Sequence, residues 1–118
     1  MIDYTTDDLI GESCSFLNIN EMDLFSTSRK RTLVDSRHLV IYLLRDIFEF
    51  NPDNDGYYKS KTKCHVLAKK FNKRKHNSIT HSVVTAKNLI QSDKDFKMKF
   101  NNLKAHLLIL GYKEQRND

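Results

Sequence analysis

The sequence predicts an all-α domain of about six helices, and three observations support this fold class. Glycine and proline are scarce, at 3 and 1 of 118 residues, which disfavours turn-rich β structure. Apolar residues recur at three- and four-residue spacing in several segments, which is the helical period. Capping residues precede those segments and turn residues follow them. At this length we expect a single domain over residues 1–118.

The first half of the chain predicts three helices. Thr6 would cap the first helix, with two aspartates in the opening turn beside the positive end of the helix dipole. Asn20 would cap a short second helix at about 20–26. Residues 26–32 show no periodicity and are predicted to form a basic loop. A long central helix should then begin at Asp35 or Ser36 and end before Asn51-Pro52, because proline restricts the residue before it.

The second half predicts an exposed loop at about 51–61 and then a helix-turn-helix at about 62–91. Thr62 would cap its first helix, which ends near Phe71 and faces inward with Cys64, Leu67, Ala68 and Phe71. The second would run from His76 or Asn77 to about Gln91. Ser92-Asp93 should cap a last helix that ends at Gly111. Its predicted core stripe is Phe96, Phe100, Leu103, Leu107 and Leu110.

Charge is distributed unevenly along the chain. Residues 1–28 carry six acids and no lysine or arginine, whereas residues 59–75 carry eight bases and no acid. Such a basic run is either a solvated helix face or a polyanion-binding surface. This run leads into a predicted helix start, where backbone N–H groups and the helix dipole favour phosphate. We therefore interpret residues 71–90 as a DNA-reading element with short polar side chains in its first turn.

Several other classes are disfavoured. The apolar runs fall far short of a bilayer span of about 20 residues, and the acidic N-terminus does not resemble a signal peptide. We expect a cytoplasmic, nucleoid-associated protein whose two cysteines are reduced. Cys64, His65, His76 and His81 lack the Cys-x-x-Cys spacing of zinc sites. No catalytic arrangement stands out, so we expect neither an enzyme nor a cofactor.

The segment Phe71-Asn-Lys-Arg-Lys-His-Asn-Ser-Ile-Thr-His81 resembles the signature of the C-terminal DNA-binding domain of the bacterial replication initiator DnaA. That signature reads roughly Phe-Gly-Gly-Arg-Asp-His-Thr-Thr-Val-Leu-His. Residues 9–47 also follow the family pattern without a gap. The resemblance implies a Trp-repressor-like helix-turn-helix architecture. No phosphate-binding loop of the Gly-x-x-x-x-Gly-Lys-[Ser/Thr] type occurs in the chain, so we expect a stand-alone domain without the ATPase.

The resemblance also implies how DNA would be contacted. Arg29, with Lys30 and Arg31, matches the family's minor-groove loop, and a guanidinium suits a narrow, electronegative groove. Arg37, His38 and Arg45 match a helix that grips phosphates; Arg45 could instead pair with Glu49 at i+4. The complete set of predicted DNA-contacting residues is Arg29, Lys30, Arg31, Arg37, His38, Arg45, Lys63, Lys69, Lys73, Arg74, Lys75, His76, Asn77, Ser78, Thr80 and His81.

Base contacts are expected from the start of the recognition helix. His76, Asn77 and Ser78 are the best candidates, since asparagine can bond adenine bidentately. Asn77 or Ser78 could instead serve as the N-cap, and His81 suits packing or a phosphate better than a base. Lys75 stands where the family has aspartate, and Asn77 and Ser78 replace its threonines. The base preference should therefore differ from that of the family.

The sequence thus predicts a monomeric module that binds double-stranded DNA at a DnaA-box-like site as a replication- or transcription-related regulator. A second class remains open. The chain could be a helical protein-interaction (adaptor) domain whose acidic N-terminal third docks a basic partner and whose basic run binds polyanions without specificity. Salt-dependent binding to duplex DNA separates the two.

Overall fold

The computed structural model describes residues 4–50, 64–71 and 76–115, and the predicted all-α class is confirmed. Within these residues, the only strands form a two-residue antiparallel pair. The described ranges contain six α-helices: α1 (Thr6–Leu17), α2 (Glu21–Leu24), α3 (Arg31–Tyr42), α4 (Cys64–Lys70), α5 (His76–Ser92) and α6 (Lys94–Leu110). The two strands are β1 (Phe48–Glu49) and β2 (Lys113–Glu114).

Helix α1 begins one residue earlier than the sequence predicts, because its cap is Thr5 and not Thr6. The Asp8 backbone N–H donates to the Thr5 hydroxyl at 3.1 Å, and the Thr5 N–H donates to the Asp8 carboxylate at 2.9 Å. This reciprocal arrangement requires a threonine three residues before the acid, which only Thr5 satisfies. Thr6 is the first helical residue and is fully buried.

Helix α3 begins at Arg31, four residues before its predicted start. Its buried stripe runs through Leu33, Arg37 and Val40 and continues to Leu44 in the turn after the helix. An arginine at the second position of the stripe conceals the periodicity, because arginine is rarely buried in a core. The polar loop is therefore shorter than residues 26–32. Helix α2, capped by the Asn20 side chain as predicted, is also shorter than expected.

Helix α3 continues into a π-helical turn, Leu43–Ile47, and the chain then enters β1 instead of remaining helical to Asn51. Phe48 lies opposite Glu114 of β2. The Gln115 side chain donates to the carbonyl oxygens of Arg45 and Phe48, at 2.8 and 3.0 Å. The segment after α6 therefore closes over the end of α3.

One apolar core joins all six helices. Helix α5 packs most extensively on α3 and also contacts α4 and α6, so it lies centrally. Asp93 caps α6 and Gly111, at φ 104°, ends it, as predicted. Leu110 is wrongly placed in the predicted core stripe, because the helix ends there and its side chain is exposed. No helix in the described part of the chain is long and apolar enough to cross a bilayer.

Candidate nucleic-acid interface

The loop between α2 and α3 is ordered by its own serines. The Ser26 hydroxyl donates to the Asp23 carbonyl oxygen at 2.7 Å and accepts from the Ser28 N–H at 3.3 Å. The Ser28 hydroxyl in turn accepts from the Lys30 N–H at 3.3 Å. Short side chains that bond to nearby backbone groups fix a turn without helix or sheet. The loop thus presents Arg29 from a defined backbone.

Arg37 of α3 is 8% exposed and holds this loop through hydrogen bonds from its guanidinium. Its Nε donates to the Leu24 carbonyl oxygen and its Nη1 to that of Ser28, both at 2.6 Å. Its Nη2 donates to the Asp23 carbonyl oxygen and the Ser26 hydroxyl, both at 3.1 Å. Burial lowers the pKa of the guanidinium. The prediction that Arg37 contacts phosphate is therefore wrong, because its N–H groups are engaged inside the protein.

The three basic residues of the predicted loop have different surroundings. Arg29 and Lys30 are exposed on the loop. Arg31 lies on α3, where its guanidinium is 3.5 Å from the Asp35 carboxylate and 3.8 Å from that of Asp93. Arg31 is thus partly neutralised and turned toward the start of α6, whereas the charge of Arg29 remains at the loop surface.

A groove of about 600 Å³ separates this loop from α5. Ser28 and Arg29 line one side, His38 of α3 lines the floor, and Ser82 lines the α5 side. The His38 and His81 rings meet edge to face, with centroids 6.4 Å apart. Hydroxyl, imidazole and guanidinium groups along one groove match the donors that bind phosphate oxygens.

Helix α5 has a buried and an exposed face. Ile79, Ser82, Val83 and Ala86 are buried against the rest of the protein. Thr80, His81 and Val84 are exposed on the other face, and Ser78 is half-buried at its edge. Val84 lies on the same side as Thr80 and His81 because it follows them by four and three positions. The face carries hydroxyl, imidazole and apolar side chains, all of which can contact base edges.

Two adjacent lysines at the end of α4 differ in their surroundings. Lys69 is exposed. The Lys70 ammonium donates to the Asp7 carboxylate at 2.9 Å and so ties α4 to the acidic helix α1. The aromatic rings of Phe25 and Phe71, 5.1 Å apart, join the ends of α2 and α4. These contacts fix the first helix of the helix-turn-helix relative to the basic loop.

The chain is similar to chromosomal replication initiator proteins. It is 30% identical to "Chromosomal replication initiator protein DnaA" of Aliarcobacter butzleri over 102 residues, which are 86% of this chain and 20% of that protein. The DnaA of Campylobacter jejuni subsp. doylei is 29% identical over 105 residues, 89% of this chain and 21% of that protein. Nearly the whole chain is thus similar to one part of DnaA, as a DnaA C-terminal-like domain would be.

The DnaA of Sulfurimonas denitrificans gives a shorter match, 30% identical over 87 residues, which cover 74% of this chain and 17% of that protein. No protein-family model matches the chain. The chain spans about a fifth of the length of the curated DnaA relatives it matches. The relationship therefore concerns one DNA-binding domain of DnaA, and that region is not catalytic.

Several residues that resemble the DnaA signature fall outside the described parts. Lys63, Lys73, Arg74 and Lys75 lie outside the described residues. His76 and Asn77 begin α5, but their side chains are likewise outside what the structure describes. Their proposed DNA contacts therefore remain predictions. Phe71, the first residue of the motif, is buried as expected, together with Leu67 and Ala68.

Arg45 lies in the π-helical turn at the far end of α3. Its guanidinium is 3.9 Å from the Asp46 carboxylate, which is also 3.5 Å from the Lys87 ammonium. Glu49, the alternative partner of Arg45, lies in β1 and not on a helix with it. Arg45 thus belongs to a mixed-charge cluster and not to the groove beside Arg29.

Metal binding finds no support in the described residues, where no group of three or more His, Cys, Asp or Glu could hold an ion. Cys14 is buried, and burial raises the pKa of its thiol to about 11. It therefore acts as a small apolar residue of the core, and not as a thiolate ligand.

Sequence reasoning missed two residues of the DnaA-like surface. Ser82 lines the groove, and Val84 is 49% exposed on the same face as Thr80. Val84 was overlooked because an apolar residue in a helical pattern is expected in the core. Helical spacing from His81 to Val84 could have revealed it.

Proposed function

We propose that this protein binds duplex DNA with sequence preference, with α5 in the major groove and the loop before α3 in the adjacent minor groove. The observation that carries the proposal is the groove lined by Arg29 of the exposed basic loop and by the buried Ser82 of α5, a helix whose other face exposes Thr80, His81 and Val84. Relationship to a DnaA DNA-binding domain supports the same interpretation.

The shape of duplex DNA explains why this groove matters. One sugar–phosphate strand separates a major groove from the next minor groove. A helix in the first and a loop in the second must therefore enclose that strand. His38 and Ser82 line the space where the strand would pass. Arg29, which is exposed at this groove, offers hydrogen-bond donors to phosphate oxygens, and such contacts set the register of a protein on DNA.

The contacts then separate into two classes. Lys69, Lys63, Lys73 and Arg74 supply charge to phosphates and carry no sequence information. Direct readout is assigned to His76, Asn77 and Ser78 at the start of α5, to Lys75 before it in sequence, and to Thr80 and His81 further along the helix. Arg29 enters the minor groove, with Lys30 beside it. Arg31, Arg37 and Arg45 are engaged elsewhere, so they contribute less or nothing.

The target is a DnaA-box-like site, bound by one monomer, on DNA of the nucleoid. Lys75 would donate to guanine or phosphate where an aspartate would accept from cytosine. The preferred site should therefore differ from that of DnaA relatives at the base pair beneath residue 75. A role in replication or transcription follows from occupying such a site, without ATP hydrolysis by the domain.

Salt dependence of binding tests this proposal. Each neutralised phosphate should contribute about −0.9 to the slope of log K on log salt concentration. We expect a slope steeper than about −3 for a duplex of 20 base pairs, which corresponds to at least about four phosphate contacts. Undetectable duplex binding at about 50 mM salt would contradict the proposal.

Minor-groove reading has its own test. Arg29→Ala should remove the preference for an A·T-rich flank, because the narrow minor groove of such DNA attracts an arginine. Lys30→Ala removes the same charge from the same loop and serves as the matched control. Competition between duplexes with A·T-rich and G·C-rich flanks measures the effect. Equal loss of preference in both variants would assign the effect to charge alone.

A protein-interaction function is the alternative, and one observation favours it. Helix α6 exposes large apolar side chains, Met98 at 57% and Ile109 at 85%. Exposed apolar residues can mark a protein contact. An adaptor domain of this kind would bind duplex DNA weakly and with equal affinity for all sequences. Selection from a random duplex library distinguishes the two, because only a sequence reader enriches a motif.

A further inference from the structure

We propose that Val84 reads the C5-methyl group of a thymine in the major groove. This inference rests on the proposed function, since it assumes that the exposed face of α5 meets DNA. The position of Val84 supports it. Val84 follows Thr80 by four residues and His81 by three, and all three are exposed. The Val84 Cα therefore lies about 6 Å further along the helix axis than that of Thr80.

The chemistry of this position is unlike that of its neighbours. In the described side chains of α5, Val84 is the only exposed large apolar residue; the other exposed positions carry threonine, histidine, serine, lysine, asparagine and glutamine. Polar side chains bond the donors and acceptors of base edges, whereas the thymine methyl is the one apolar group that the major groove offers. An exposed apolar side chain on this face has a matching partner on DNA.

Conformational restriction makes valine suitable for this contact. Within a helix, valine adopts one χ1 rotamer in about 90% of cases, so its two methyl groups point in a fixed direction. Little rotamer freedom is then lost when a base contacts it. Valine is also a weaker helix former than alanine, so helix stability alone does not account for it at an exposed mid-helix position.

The experiment uses the full chain and the best duplex selected by the wild-type protein from a random library. Each thymine of that duplex is replaced in turn by deoxyuridine, which lacks only the methyl group. Wild-type protein should lose about fourfold in affinity at one position, the value of burying one methyl-sized group. Val84→Ala should show no loss at that position and should accept other bases there.

Ile109→Ala is the matched control, because it also shortens an exposed aliphatic side chain, on α6. Its deoxyuridine profile should equal that of the wild type. Thermal unfolding should show Val84→Ala to be as stable as the wild type or slightly more stable, so altered binding reports contact and not misfolding.

The outcomes separate this inference from the proposed function. If the wild type enriches a motif, but no thymine methyl affects its affinity, the assignment of Val84 is overturned and the proposed function stands. The assignment is also overturned if wild type and Val84→Ala lose affinity equally at every substituted thymine. A wild-type protein that binds no duplex would overturn both.

Discussion

Helices α5 and α6 have the same length, 17 residues each, yet they carry charge differently. Helix α6 contains four lysines and one aspartate, whereas the only lysine or arginine of α5 is Lys87. Net charge alone would therefore select α6 as the DNA-binding helix. Its surroundings argue against this choice, because α6 packs on α1 and α5 and lies away from the groove beside Arg29.

Under the proposed function, supplying charge and reading bases are separate tasks. Helix α5 places short side chains on its exposed face, next to a loop and a helix that carry the charge. In α6, the Lys104 ammonium pairs with Glu114 at 3.1 Å and lies over the Phe100 ring. The exposed lysines of α6, Lys94, Lys97 and Lys99, form a solvated face of the kind common on helices.

The largest expected effect is a loss of stability when Arg37, which holds the loop between α2 and α3, is replaced. Arg37→Ala should lower the free energy of unfolding by about 3 kcal/mol or more, because it leaves buried carbonyl oxygens without donors. Urea denaturation measures this change. Arg29→Ala, at an exposed position, should stay within about 0.5 kcal/mol of the wild type. Similar values for the two variants would contradict the assigned roles.

Charge reversal on α4 and on α6 tests which of these two helices supplies positive charge to DNA. Lys69→Glu on α4 should weaken duplex binding by about tenfold or more, since an attraction to phosphate becomes a repulsion. Lys97→Glu on α6 makes the same exchange at an exposed position and should change affinity by less than about twofold. Fluorescence anisotropy with one labelled duplex at fixed salt measures both. A larger loss for Lys97→Glu would make α6 the DNA-binding surface.

Breaking the ion pair between α1 and α4 should slightly increase the affinity for duplex DNA. Asp7→Asn removes an acid beside Lys70 and should tighten duplex binding by about twofold, because one repulsive charge disappears. Its stability should fall by no more than about 1 kcal/mol, the usual limit for an exposed pair.

Glu114→Gln is the matched control for Asp7→Asn, since it also breaks an ion pair of similar length. It should leave DNA affinity unchanged, because Glu114 lies in β2, on the strand that closes the end of α3. Equal tightening in both variants would mean that overall net charge, and not position, sets the affinity.

Local patterns predicted most helix ends, and long-range contacts explain the failures. Asn20, Asp93 and Gly111 were recognised because a cap depends on neighbours in sequence. The start of α3 was missed because Arg37 occupies a core position, which is possible because carbonyl oxygens of α2 and of the loop after it accept from its guanidinium. Strand β1 was missed because its partner β2 lies at the other end of the chain.

The candidate site was predictable in composition but not in arrangement. The sequence identified Arg29 and the start of α5 as basic and polar segments. It could not show that Arg37 points inward while Arg29 stays exposed, because both are arginines beside the same loop. Nor could it distinguish Lys69 from Lys70, whose difference depends on a contact with α1.

The central claim is that the exposed face of α5 reads base sequence while neighbouring lysines supply only affinity. The most direct test measures base preference at every position of the selected duplex for wild type, Asn77→Ala and Lys69→Ala. We predict that Asn77→Ala relaxes the preference at one base position by about 1–3 kcal/mol, whereas Lys69→Ala weakens binding to all sequences alike. Uniform loss in both variants would contradict the assignment of the reading face to α5.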